Sequence, residues 1–137
     1  MKPVLLALLL ALSVPVHPPQ GDLRQAAEQA RRAWANHDAA ALVGASPRIL
    51  IQLPGTDPAG AFAPAQAIAL LRDYFASTQE VETKVRSARE VEPGRGYVEL
   101  QRRYRVTGTQ EARSQTLLLG YRMTPDGWIL VELRAGG

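Results

Sequence analysis

Cysteine is absent from this 137-residue chain. That excludes disulfides, a thiol nucleophile, cysteine metal sites and a lipid-bearing cysteine behind a leader, and leaves a folded domain to rely on its core. Histidine is scarce: His17 belongs to the N-terminal leader or linker, and His37 with scattered acids offers no metal-ligand spacing. No cofactor is expected. Aromatics make up only 6 %, and no basic run is interleaved with them. Lysine is limited to Lys2 and Lys84, and the arginines are scattered among Glu and Asp, so the net charge of +3 is a modest excess. Nucleic-acid binding is therefore not expected. The longest apolar run, Val4 to Leu12, falls well short of the about 20 residues that a membrane span needs, so the chain is not expected to be membrane-embedded.

That run does suit an export signal. Lys2 is the only charge before Asp22, and Ala11 and Ser13 have the small side chains and spacing that a signal peptidase accepts. Cleavage is expected near Ser13. Val14–Gly21, with Pro15, Pro18 and Pro19, reads as a linker. Residues 1–21 are thus assigned to signal peptide and linker, residues 22–137 to one domain, and the protein to the periplasm or the exterior. An uncleaved anchor is the alternative.

Asp22 is read as the N-cap of a first helix, where Leu23, Ala26, Ala27, Ala30 and Trp34 recur at helical spacing. Asn36-His37-Asp38 breaks the pattern, and Asp38 can cap a short helix through Val43. Arg48 to Leu53 alternates as a strand. A loop through Pro54-Gly55 and Asp57-Pro58-Ala59-Gly60 follows. Pro64 then opens a longer helix with a stripe of Ala67, Ile68, Leu71, Tyr74 and Phe75. From Val81 the period becomes that of strands, and three turn signals divide four runs. The expected fold class is α+β in the order α-α-β-α-β-β-β-β, with helices packed on a curved antiparallel sheet.

Alternation sets the expected faces. Val81, Val85 and Val91 are read as inward, with Val98, Leu100, Tyr104 and Val106 on the next strand. Leu117, Leu119, Tyr121 and Met123 follow, then Ile129, Val131 and Leu133. The polar residues of this inward phase are Ser87, Arg89, Arg102, Tyr104 and Tyr121. None is a carboxylate; Glu82, Glu90, Glu92, Glu99 and Glu132 fall outward unless a bulge flips a phase.

The element order resembles that of the nuclear-transport-factor-two-like, or cystatin-like, cone, which ketosteroid isomerases and scytalone dehydratase share. Within it, the chain is similar to a group of small secreted bacterial proteins of unknown function. Ile49-Leu50-Ile51-Gln52-Leu53, Gly60-Ala61-Phe62, Gln66-Ala67 and Tyr74-Phe75 carry the likeness. It spans Leu23 to Leu133, departs at Ala63, where Ser or Thr would cap better, and implies a fold without implying catalytic residues.

Arg102 is the sharpest oddity, because an inward guanidinium must be paired or reach water. One reading is a pocket for a small anionic ligand, with Arg102 and Arg89 binding it and Tyr104, Tyr121 and Ser87 lining it. The other is an internal ion pair to Asp38 or Glu28, or a side chain snorkelling past the sheet end. His37 and Asp38 are the remaining acid–base candidates, against a turn His beside a capping Asp. Leu118, Trp128 and Leu130 fall on the outward phase and form a candidate dimer surface, unless the termini cover it. The sequence thus favours an exported, non-catalytic binding or interaction module, with an isomerase- or dehydratase-like enzyme of the same fold as the alternative.

Overall fold

The computed structural model describes residues 19–55 and 60–136, with side chains from Leu23 onward. The leader, most of the linker and the Asp57-Pro58 loop lie outside the described residues. Helix α1 spans Pro19–Ala35, so its backbone starts ahead of Asp22, which lies inside the helix; the side chain of Asp22 is not among those described. Leu23, Ala27, Ala30 and Trp34 are its buried stripe. Because three of its inner positions (Ala27, Ala30 and Ala33) are alanine, the helix axis can approach the sheet closely.

At His37 the backbone adopts φ +53° and the chain turns. Asp38 then caps α2 (Ala39–Val43), its Oδ1 accepting from the Ala41 amide at 3.0 Å. Helix α3 covers Pro64–Ala76 and buries Ala67, Leu71 and Phe75. The side chain of Gln66 accepts from the Ala63 amide at 3.3 Å, one half of a capping box; Ala63 has no side-chain oxygen to supply the other half.

Six strands form one sheet: β1 (Ile49–Gln52), β2 (Gly60–Phe62), β3 (Thr78–Glu92), β4 (Arg95–Val106), β5 (Ala112–Thr124) and β6 (Gly127–Gly136), ordered β2-β1-β6-β5-β4-β3. The helices pack on one face, α1 chiefly over β3. Three features of the sheet differ from expectation. Gly60-Ala61-Phe62 is an edge strand on β1 and not a loop. The sheet is mixed, because β1 runs parallel to β6; α3 and the β3–β5 meander separate the two in sequence, and that length of chain permits a parallel crossover.

The third difference is the register of β3. Irregularities fall between Glu80 and Glu82, between Val85 and Ser87, and between Glu90 and Glu92. Each inserts an unpaired residue and reverses the alternation that follows. Val81 and Val91 are such extra residues and stand 39 % and 54 % exposed; Val85 pairs with inward Leu100 but remains half-open at the sheet edge. Glu80 is brought opposite Tyr104, on the inner face. A similar shift between Gly120 and Tyr121 turns Leu130, not Val131, into the core. On an edge strand these bulges, with the surrounding charges, also spoil the template for pairing with another chain.

Gly96 marks a close helix–sheet approach. A Cβ there would lie 2.6 Å from Leu23 Cδ2 and 3.0 Å from the Arg89 carbonyl oxygen. Leu23 can turn aside but the backbone oxygen cannot. Gly96→Ala is therefore expected to lose about 1–3 kcal/mol, measured by urea unfolding. A loss under about 0.5 kcal/mol would show that both Leu23 and the β3 backbone at Arg89 give way freely.

Candidate functional site

Two places on the inner side of the sheet concentrate polar groups. The first is a buried network centred on Arg102, whose side chain is fully enclosed. Its Nε and Nη2 donate to the two oxygens of Glu80 at 2.9 and 2.7 Å, the parallel fork that suits guanidinium and carboxylate. Nη2 also donates to Thr78 Oγ1 at 3.1 Å, and Nη1 donates to Gln115 Oε1 at 2.9 Å. Gln115 Oε1 accepts in addition from the Tyr74 hydroxyl at 3.0 Å. The guanidinium lies 4.0 Å over the Tyr104 ring and 5.1 Å from the Trp34 ring.

Glu80 is saturated as well. Its Oε2 accepts from Thr83 Oγ1 at 2.9 Å, and its Oε1 lies 3.0 Å from His37 Nε2. The His37 ring stacks on Phe75 with centroids 4.4 Å apart. The turn between α1 and α2 is thereby tied to edge strand β3 and to α3. With four of its five N–H groups engaged, Arg102 is an internal ion-pair partner. Its acid is a strand residue, and neither Asp38 nor Glu28: Asp38 caps α2, and Glu28 pairs with Arg31 and Arg32.

The second place is a cavity of about 250 Å3 between α1, α2 and the β5–β6 hairpin. Ala30, Leu42, Val43 and Leu130 give it apolar walls, and Tyr121 and Trp128 supply the aromatic ones. Its polar lining is Gln29, Ser46, Tyr121 and Asp126. Ser46 is buried, and its hydroxyl makes no hydrogen bond to any described residue. Burial pushes the Tyr121 phenol far above its usual range and keeps it protonated. A second recess, lined by Gln25, Ala26, Gln29, Asp126, Gly127 and Trp128, adjoins it and shares four of these residues.

The structure scatters the residues that alternation had grouped. Arg102 and Tyr104 lie together in the buried network. Tyr121 stands opposite Gly96 and Leu130 and lines the cavity, whereas Arg102 stands opposite Gln115 and Thr83, and not beside Tyr121 or Ser87. The β3 bulges place Ser87 opposite Glu99 and Arg89 opposite Tyr97, on the outer phase; Arg89 is exposed, and Ser87 borders a shallow groove between α1 and β3. The proposed outer patch also dissolves. Leu130 is 2 % exposed on the inner face, and Trp128 packs half-buried against the core, so only Leu118 remains on the outer face. Glu80, Gln29, Ser46 and Asp126 were not singled out by sequence. Ser46 and Asp126 lie in turns with no periodic signal, and Glu80 takes its place from a bulge.

Among the described residues, no group of three His, Asp or Glu side chains is placed to hold a metal ion, and no helix is long and apolar enough to cross a membrane. No protein-family model matches the chain, and no curated protein is similar to it in sequence. Solved structures are similar in fold. A ketosteroid isomerase-like protein from Erwinia carotovora superposes with a TM-score of 0.72 at 12 % identity, covering 88 % of this chain and 96 % of that one. A putative dehydratase of the nuclear-transport-factor-two-like family from Streptomyces avermitilis gives 0.64 at 17 % identity, over 86 % and 96 %. A domain of unknown function with a cystatin-like fold from Nostoc punctiforme gives 0.61 at 16 %, over 85 % and 75 %. The chain has the nuclear-transport-factor-two-like cone fold. Its neighbours in that fold include isomerase-like and dehydratase-like proteins and several of unknown function.

Proposed function

We propose that this is an exported small-molecule-binding domain, non-catalytic, whose ligand occupies the cavity between α1, α2 and the β5–β6 hairpin. The observation that carries the reading is the lining itself: a buried, unpartnered Ser46 hydroxyl and a protonated Tyr121 phenol in a half-open cleft with apolar, aromatic and polar walls. Buried polar groups are normally hydrogen-bonded, and a ligand with a polar head would meet that need. An apolar cavity of roughly 150 Å3 already admits benzene, so a volume of about 250 Å3 holds a small ring with one substituent. Export rests on the Lys2 and Val4–Leu12 leader.

The isomerase- or dehydratase-like alternative draws support from Glu80, an inward carboxylate beside His37. Both of its oxygens are occupied, however, and neither recess at the hairpin is lined by it. A base must be free to receive a proton. The binding reading stands ahead on that ground.

The test is a thermal-shift screen of the purified protein against small amines, alcohols and acids. A ligand at a hundred times its Kd stabilises by about 2.7 kcal/mol. Ala26 borders both recesses, and Ala26→Phe is expected to fill them, keep the fold and abolish the shift. A hit that Ala26→Phe leaves unchanged would place binding elsewhere, and a screen without hits would remove the reading.

A further inference from the structure

We infer that the hairpin cavity selects an organic cation, a small amine carrying an apolar ring or chain. The inference rests on the binding reading above and adds the class of ligand. The protein holds 16 Lys and Arg against 13 Asp and Glu, yet no Lys or Arg lines the cavity or the recess beside it. The charged residue that both share is Asp126, an exposed residue at their rim whose carboxylate makes no hydrogen bond or ion pair with any described residue.

The position of that carboxylate is set by the turn. Thr124 Oγ1 donates to the Gly127 carbonyl at 2.8 Å and accepts from the Asp126 amide at 3.1 Å. The same turn carries Trp128, which also lines both recesses. A carboxylate and the face of an indole are complementary to an ammonium group, and Tyr121 offers a second ring further in. Arg122 alternates with Tyr121 along β5, so it belongs to the opposite face of the sheet and does not offset Asp126. An anion would meet Asp126 with no guanidinium to compensate; the fully enclosed Arg102 is spent on Glu80. The anionic ligand expected from alternation is therefore replaced by its opposite.

The protein has two tryptophans, so its amide spectrum carries two indole resonances: Trp128 reports on the cavity, and fully buried Trp34 serves as the reference. Benzylamine, benzyl alcohol and benzoate share one ring and differ in charge. At neutral pH, benzylamine is expected to move the Trp128 resonance with an affinity about tenfold or more above that of benzoate. Asp126→Asn should bring benzylamine down to the level of benzyl alcohol. Benzoate binding as tightly as the amine, or an amine indifferent to Asp126→Asn, would overturn the inference while leaving a binding cavity in place. Silence at Trp128 with all three probes would overturn the binding reading itself, and the inference with it.

Discussion

Replacing Glu80 with glutamine is expected to destabilise the protein by about 3–5 kcal/mol, because it leaves the fully enclosed Arg102 cation without its counter-charge. The size of that loss does not mean that the ion pair contributes as much to folding. Two charges were taken out of water to make it, and their mutual attraction recovers that cost only through good geometry and further bonds. Thr78, Gln115, Thr83 and His37 provide those bonds. A double variant, Glu80→Leu with Arg102→Met, is therefore expected to be less destabilised than Glu80→Gln alone. Urea unfolding of Glu80→Leu, of Arg102→Met and of the double variant closes the cycle. A Glu80→Gln protein within about 0.5 kcal/mol of the parent would show that the pair is solvated, contrary to the geometry.

Trp34 carries the second large effect. It is fully buried, meets Phe75 edge-on at 4.9 Å and Tyr74 at 6.2 Å, and lies under the Arg102 guanidinium. Trp34→Ala is expected to lose about 3–5 kcal/mol through lost burial and the cavity left behind. The indole Nε1 finds no hydrogen-bond partner among the described residues, so its N–H is a desolvated donor with nothing in return. Trp34→Phe removes that donor and keeps a ring beneath Arg102, and its loss should stay below about 2 kcal/mol. If phenylalanine cost as much as alanine, the indole edge would have to be bonded after all. Trp34 and Arg102 touch, so the losses at the two sites will not add, and the shortfall measures their coupling.

The Arg102 network and the hairpin cavity are separate places in the fold. The Arg102 network closes one part of the inner face and pins the α1–α2 turn through His37. The hairpin cavity lies apart from it, lined by none of Arg102, Glu80 or His37, and keeps an unpartnered hydroxyl. The proposed binding at the hairpin can therefore be probed with Ala26→Phe or Asp126→Asn without disturbing the ion pair. The Glu80 series, conversely, reads stability without touching the cavity.

How much of this was legible in the sequence differs by element. The helices declared themselves: Leu23, Ala27, Ala30 and Trp34 repeat at helical spacing and are the buried stripe, and Asp38 caps α2 as its side chain suggests. The alternation of β4 and β5 also held, with Val98, Leu100, Leu117 and Leu119 all in the core. Those signals are local, since a residue's neighbours along the chain decide which face it presents. Element order, and with it the cone fold, follows from the same local signals. The Arg102 anomaly was visible for the same reason, as a charge in an otherwise apolar phase.

Tertiary structure alone decided the rest. Whether Arg102 meets a ligand or an acid depends on Glu80, and Glu80 faces inward only because the β3–β4 register slips at Val81. The same kind of slip at the end of β5 moved Leu130 from the expected outer patch into the core. A bulge is a property of two strands and the turn between them, so one strand's alternation carries no trace of it and misassigns every residue beyond it. The cavity is less legible still. Gln29, Ser46, Tyr121 and Asp126 come from a helix, a turn, a strand and a hairpin with no shared period, and only the packing of α1 and α2 against the β5–β6 end brings them together.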